Sequence, residues 1–230
     1  MQEEMSLTKG RGLLELIRSD VDAWRTIWSQ DADQHPRSGV LDDLRMIYSY
    51  VGLRVSTLYR ISHALHVRGI RLLPQMLSRV NLMLHGFDVP ASVEIGARLY
   101  IPHPVGTVIM AERIGSGLTL VSGVTIGMRN ERGFPTLGDD VFIGAGARVL
   151  GRICIGNHVK IGANAVVVED VPDNCVAVGV PARIHVPGAA AVSTQASHNG
   201  TPATKIAAPV RAAARSSGRI AAARRTGAKR

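Results

Sequence analysis

Between Ile95 and Val167 a branched aliphatic residue returns at a six-residue spacing. The series runs Ile95 and Ile101, then Val108, Ile114, Leu120 and Ile126, then Leu137, Ile143, Val149, Ile155, Ile161 and Val167. Glycine follows directly at Gly96, Gly115, Gly127, Gly138, Gly144, Gly156 and Gly162. A helix repeats about every 3.6 residues and a half-buried strand every second residue, so neither accounts for this period. A triangular coil does. Each six-residue unit forms one flat side, its aliphatic residue points into a narrow core, and small residues let the chain turn the corner. Twelve such positions, three to a coil, predict four coils of parallel β-helix between about Asp88 and Val168.

Composition fits thin layers. Hydrophobic residues make up 46% of the 230-residue chain but aromatics only 4%, so the core is built of small and branched aliphatics. A prism of stacked coils buries its interior along one dimension, and its flat faces call for partners, so a homo-oligomer is expected.

Residues 1–86 read differently. Leu13, Leu14, Ile17, Val21, Trp24 and Ile27 recur at helical spacing and predict one apolar stripe. The stretch "DADQHPRSG" breaks that pattern. A second helical stretch is expected from Val40 to Val67, stopped by Gly69, and a third over "IRLLPQMLSRVNLMLHG", with Pro74 near its first turn. The expected organisation is therefore a helical domain over 1–86, a β-helix domain over 87–187 and a tail over 188–230. The tail is Ala, Ser, Thr, Gly, Pro and Arg with few large apolar residues, a composition expected to be disordered.

Charge follows the same division. The net charge is +9, and the segment from Ala189 to Arg230 holds eight Lys or Arg and no acid. The rest of the chain is close to neutral, which argues against specific nucleic-acid binding by the folded part. No apolar run is long enough to span a bilayer, and the first residues lack the apolar core of a secretory signal. Cys154 and Cys175 are expected to be free thiols in a reducing cytoplasm.

The six-residue register slips twice, by a seven-residue step between Ile101 and Val108 and an eleven-residue step between Ile126 and Leu137. A repeat accommodates insertions at its corners, where they project as loops, and loops on a rigid scaffold commonly carry sites. The first slip, "LYIPHPVGTVIM", contains His103 between Pro102 and Pro104; the second is "GMRNERGFPT". Asp88 precedes His103 by fifteen residues, about one coil, so the two fall in adjacent layers. Two readings of the pair stand: a catalytic base with a carboxylate that orients it, or a cap at the start of the β-helix and a turn residue.

The stretches "YRISHALHVRG", "FDVPASVEIGARLYIPHPVGTVI", "GVTIG", "VFIGAGARVLGRICIGNHVKIGANAVVVEDVP" and "AVGVPARI" together resemble the hexapeptide-repeat acyltransferases, and most closely the serine acetyltransferases. The likeness covers roughly Val51 to Ile184. It implies a left-handed parallel β-helix and transfer of acetyl from acetyl-CoA to a small hydroxyl, best matched by L-serine. It makes His103 the general base and Asp88 the carboxylate that orients it. A neutral imidazole would take the proton of the attacking hydroxyl, and the carboxylate would stabilise the imidazolium that forms. Acetyl-CoA, the co-substrate, is implied at Gly127, Met128, Ala145, Lys160 and Ala163. A homotrimer or a dimer of trimers is implied as well.

The acceptor side departs from the family pattern. Pro102 stands where the family carries Asp, and Gly133-Phe134 stands where it carries an Arg-His pair before Pro. Gly127-Met128-Arg129 replaces the usual Gly-Gly-Thr, and Arg37 falls near the place of a helical-domain acid. Arg129, Arg132 and Phe134 remain as candidate acceptor contacts. A sugar or secondary-metabolite hydroxyl is the alternative acceptor, and a non-catalytic scaffold the alternative role. Cys154, between Ile153 and Ile155, is expected in the core, and His158 on the surface. His63 and His66 share a helix face for packing, and no metal site is expected.

Overall fold

The computed structural model describes residues 12–28, 39–130 and 133–187. The break expected over 31–38 with Arg37, the loop residue Arg132 and the tail from Gly188 lie outside the described residues.

Four helices come first: α1 (Leu13–Trp28), α2 (Val40–Ser49), α3 (Val51–Val67) and α4 (Leu72–His85). The inward face of α1 carries Leu16, Val21 and Trp24, whereas Leu14 and Ile27, expected in its stripe, are exposed. That inward face also carries Asp20, whose buried carboxylate meets Arg60 of α3. The helix expected from Val40 to Val67 is divided at Tyr50, which is extended (φ −103°, ψ 119°). Tertiary packing overrides helical continuity there: the Tyr50 ring lies 5.1 Å from Trp24, which also meets Tyr100 at 4.8 Å. Gly69 and Gly86, both with positive φ, follow α3 and α4 as their stop signals.

Gly52 sets how closely α3 approaches the β-helix. A methyl group there would lie 1.9 Å from the Ile101 carbonyl oxygen and 2.5 Å from the Trp24 ring. Backbone cannot yield as a side chain does, so Gly52→Ala is expected to cost about 1–3 kcal/mol or more. A thermal melt checks this; an unchanged Tm would show that α3 can slide.

From Phe87 the chain winds in coils. The first holds β1 (Phe87–Asp88) and β2 (Glu94–Ile95), with an isolated bridge at Tyr100 on its third side. The second holds β3 (Thr107–Ile109), β4 (Arg113–Ile114) and β5 (Thr119–Leu120). The third holds β6 (Thr125–Gly127), β7 (Thr136–Leu137) and β8 (Phe142–Ile143). The fourth holds β9 (Arg148–Leu150), β10 (Cys154–Ile155) and β11 (Lys160–Ile161). The last holds β12 (Val166–Val167), a bridge at Val171 and β13 (Val176–Val178). A final strand, β14 (Arg183–His185), pairs antiparallel with β13, reached through a cis Val180–Pro181 bond.

Strands in register form three faces. The first face is β1-β3-β6-β9-β12, the second β2-β4-β7-β10, and the third β5-β8-β11-β13 with β14 at its edge. One interior column stacks Ile95, Ile114, Leu137 and Ile155, and another stacks Leu120, Ile143 and Ile161, all buried. In the remaining column the inward residue of the second coil is Ile109, paired with Ile126, while Val108 is only half-buried. The first slip therefore takes two extra residues before β3 and loses one after it. The first face has five strands, so the solenoid is one coil longer than the four expected. Val89, Val171 and Ala177 are buried as part of that extra length.

Side chains stitch one corner vertically. Asp139 Oδ1 accepts from the Ser116 N–H, Asn157 Oδ1 from the Asp139 N–H, and Asp173 Oδ1 from the Asn157 N–H, each at 2.7 Å. The glycines before Ser116, Asp139 and Asn157 leave no room for a side chain: a methyl on Gly115 would sit 2.6 Å from the Gly138 carbonyl carbon. Cys154 is exposed, contrary to the core position expected, because Ile155 takes the inward slot and alternation turns Cys154 outward; Cys175 is the buried thiol.

The helices dock on the first coil through polar groups of α3. Arg60 donates to both Asp20 oxygens at 3.0 Å and to the carbonyls of Ile95 and Gly96, while Asp20 also accepts the Leu99 N–H at 2.9 Å. The Tyr59 hydroxyl donates to the Val93 carbonyl at 2.7 Å, and His63 Nδ1 donates to that of Ala91 at 2.8 Å. Burial pushes the His63 pKa below its usual value. No helix among the described residues is long and apolar enough to cross a membrane.

Candidate active site

His103 is exposed on the loop that joins Tyr100 to β3. Pro102 is half-buried, Pro104 is buried, and the Pro104 carbonyl accepts the Thr107 N–H at 3.1 Å. The Gly106 N–H, at φ +76°, reaches back to the Gly86 carbonyl at 2.9 Å. The histidine thus rides on a turn with both ends fixed, leaning on the coil below.

Asp88, half-buried on β1, lies on that lower coil, its strand paired with β3. The two residues occupy adjacent layers, as their separation implies. Among the described residues no hydrogen bond or ion pair joins them. Asp88 instead opens onto a cleft of about 500 Å³ between the helices and the first coil, whose lining includes His66, Gln75, Ser78, Arg79 and Ser92.

The remaining candidates separate by corner. Ala145 and Ala163 turn the chain from the third face to the first, which is the corner that carries His103 two coils below Ala145. They stack directly, with the Asn164 N–H donating to the Ala145 carbonyl at 2.8 Å. Lys160 is exposed beside that corner on β11, in register with Phe142 and Val176. Gly127, Met128, Arg129 and Phe134 lie at the opposite edge of the first face, on the corner leading to β7. Met128 and Arg129 are exposed, Gly127 is buried and Phe134 half-buried. The loop folds against the next coil, where the Gly151 N–H meets the Gly127 carbonyl at 2.9 Å. Within one chain, then, the loop candidates stand a face away from His103.

Comparison with known proteins places this arrangement. A sequence model of the bacterial transferase hexapeptide family (six repeats) matches residues 134–168. The serine acetyltransferase of Bacillus pumilus is 33% identical over 192 residues, covering 82% of this chain and 84% of that protein. The chain belongs to the serine acetyltransferase family. Another member, from Mycobacterium tuberculosis, is 43% identical over 145 residues, and this chain spans 63% of its length. Among solved structures of the family, the soybean apoenzyme superposes with a TM-score of 0.64 at 30% identity, covering 75% of this chain and 69% of that one. The Neisseria gonorrhoeae enzyme in complex with serine gives a TM-score of 0.64 at 29% identity, over 77% and 71% of the two chains.

Three features of this family member escaped the sequence. The Asp20–Arg60 pair joins residues forty apart without a motif. The Asp and Asn corner ladder was hidden among ordinary turn residues. Arg79 reaches the cleft only because α4 folds back on β1; the histidine pair on α3 was the sole hint of that wall. Among the described residues no group of three or more His, Cys, Asp or Glu could hold a metal ion.

Proposed function

We propose that this protein is an O-acetyltransferase that moves an acetyl group from acetyl-CoA to the hydroxyl of L-serine. Membership of the serine acetyltransferase family over most of both chains carries the reading. His103 accepts the hydroxyl proton as the serine oxygen attacks the thioester carbonyl carbon. The new C–O bond forms, the tetrahedral oxyanion collapses, the C–S bond breaks, and the CoA thiolate takes the proton back from the imidazolium. Asp88 orients His103 by accepting from its second ring nitrogen. Backbone N–H groups near the second loop stabilise the oxyanion. CoA runs along Ala145 and Ala163, with Lys160 near a phosphate and Gly127 and Met128 toward the reacting end.

The reading includes a homo-oligomer, a trimer or a dimer of trimers. The loop carrying Met128, Arg129 and Phe134 stands a face away from His103, so a second copy is needed to bring both to one groove. The exposed apolar residues of α2 and α4, such as Leu41 and Met83, supply further surface for contact between copies. A cytoplasmic location fits two unpaired cysteines.

The test offers purified protein and acetyl-CoA to L-serine, homoserine and a panel of sugars while free thiol release is followed. Release with L-serine well above the other acceptors is expected. Pro102 and Gly133-Phe134, which stand in place of charged family residues, favour a second reading in which the acceptor is an uncharged sugar hydroxyl; release with a sugar and none with serine would establish it.

A further inference from the structure

We infer that Arg79, with His66 beside it, holds the carboxylate of the acceptor in the cleft that Asp88 lines, an inference that rests on the acetyl-transfer reading above. A free amino acid is a zwitterion, and a site selective for one needs a cation for its carboxylate and an anion for its ammonium. The loop position at which the family carries its Arg-His pair holds Gly133 and Phe134 instead. The cleft of about 500 Å³ beside Asp88 has what that loop lacks.

Its helical wall presents Arg79 and Gln75 from α4 and His66 from the end of α3, and its β-helix wall presents Asp88 and Ser92. The side chains of Arg79, His66 and Asp88 make no ion pair or hydrogen bond among the described residues. A guanidinium and a carboxylate without side-chain partners, lining one small cleft, match the two ends of a zwitterion. Asp88 has two carboxylate oxygens, so one can serve His103 while the other faces the cleft. The cleft is linked to the catalytic loop through the chain: Asp88 is two residues from Gly86, whose carbonyl holds the Gly106 N–H of the loop that carries His103. Asp88 is the one residue shared by this cleft and the proposed catalytic pair.

Arg79 is exposed, so its replacement should leave the fold intact, and Arg79→Lys provides a second variant that keeps the charge without the planar fork. Steady-state kinetics of wild type, Arg79→Gln, Arg79→Lys and His66→Gln are measured with L-serine. Ethanolamine, which keeps the hydroxyl and ammonium but lacks the carboxylate, serves as alternative substrate or competitor. Arg79→Gln is expected to raise the serine KM about 10- to 100-fold with kcat nearly unchanged, as loss of a charge-assisted hydrogen bond predicts. Arg79→Lys should fall between, His66→Gln should have a smaller effect, and the constants for ethanolamine and acetyl-CoA should not move. An unchanged serine KM in Arg79→Gln overturns the inference. So does an increase shared equally by ethanolamine, or one that falls on acetyl-CoA, which would assign Arg79 to a CoA phosphate. Absence of thiol release from the wild type with serine is a separate result, and it removes the serine reading itself.

Discussion

Replacing His103 with alanine is expected to slow thiol release with L-serine by about 10²- to 10⁴-fold, the usual contribution of a positioned general base. The effect should fall on kcat. The side chain is exposed and hydrogen-bonded to nothing among the described residues, so its loss should leave both Tm and acetyl-CoA affinity in place. Asp88→Asn is expected to do less harm, since the amide preserves size while losing the charge that stabilises the imidazolium. Stopped-time thiol assays on both variants, with calorimetric CoA binding as the control for folding, decide the matter. A His103→Ala enzyme that keeps more than a small fraction of wild-type rate would falsify the assignment and leave the histidine as a turn residue.

A comparably large loss, this time of stability, is expected from Asp20→Ala. Arg60 is fully buried, and Asp20 accepts two of its hydrogen bonds. Burial pushes the Asp20 carboxyl up from its ordinary value, with the Arg60 charge opposing. Removing the acid strands a guanidinium away from water and frees the Leu99 N–H, and breaking a buried pair in this way costs about 3–5 kcal/mol. Denaturant unfolding should show a large drop in midpoint for Asp20→Ala and partial recovery in Asp20→Ala/Arg60→Met, which takes away the orphaned charge. If the single and double variants lose equal stability, the ion pair is not what fastens α1 to the first coil.

These two residues also mark how far the sequence could be read. The solenoid was legible because an inward aliphatic every six residues is a consequence of coil geometry, and chance rarely imitates it. The assignment of Val108 to the core failed where the loop carrying His103 distorts that geometry: the chain gains length on one side of β3 and gives part of it back on the other. The last coil is hidden from the six-residue period because the step from Val167 to Val171 is four residues. His103 was legible for the same reason that Val108 was misplaced, since a departure from a strict repeat draws the eye to a loop. Arg60 and Arg79 were not legible. Each acquires its surroundings only when a helix packs against the first coil, and helical periodicity says nothing about which part of the solenoid it will meet.

The reversed strand β14 bears on how this solenoid can be used. A stack of parallel coils has no natural end: its last coil offers to a second molecule the same row of backbone donors and acceptors that each coil offers to the next. On the third face the chain turns back and covers that row itself, with His185, Ile184 and Arg183 opposite Val176, Ala177 and Val178. A newcomer on that face would meet a strand running the wrong way, with its side chains exposed. On that face the last coil is therefore closed by the chain's own reversed strand, and a further parallel coil has no free edge of β13 to add to.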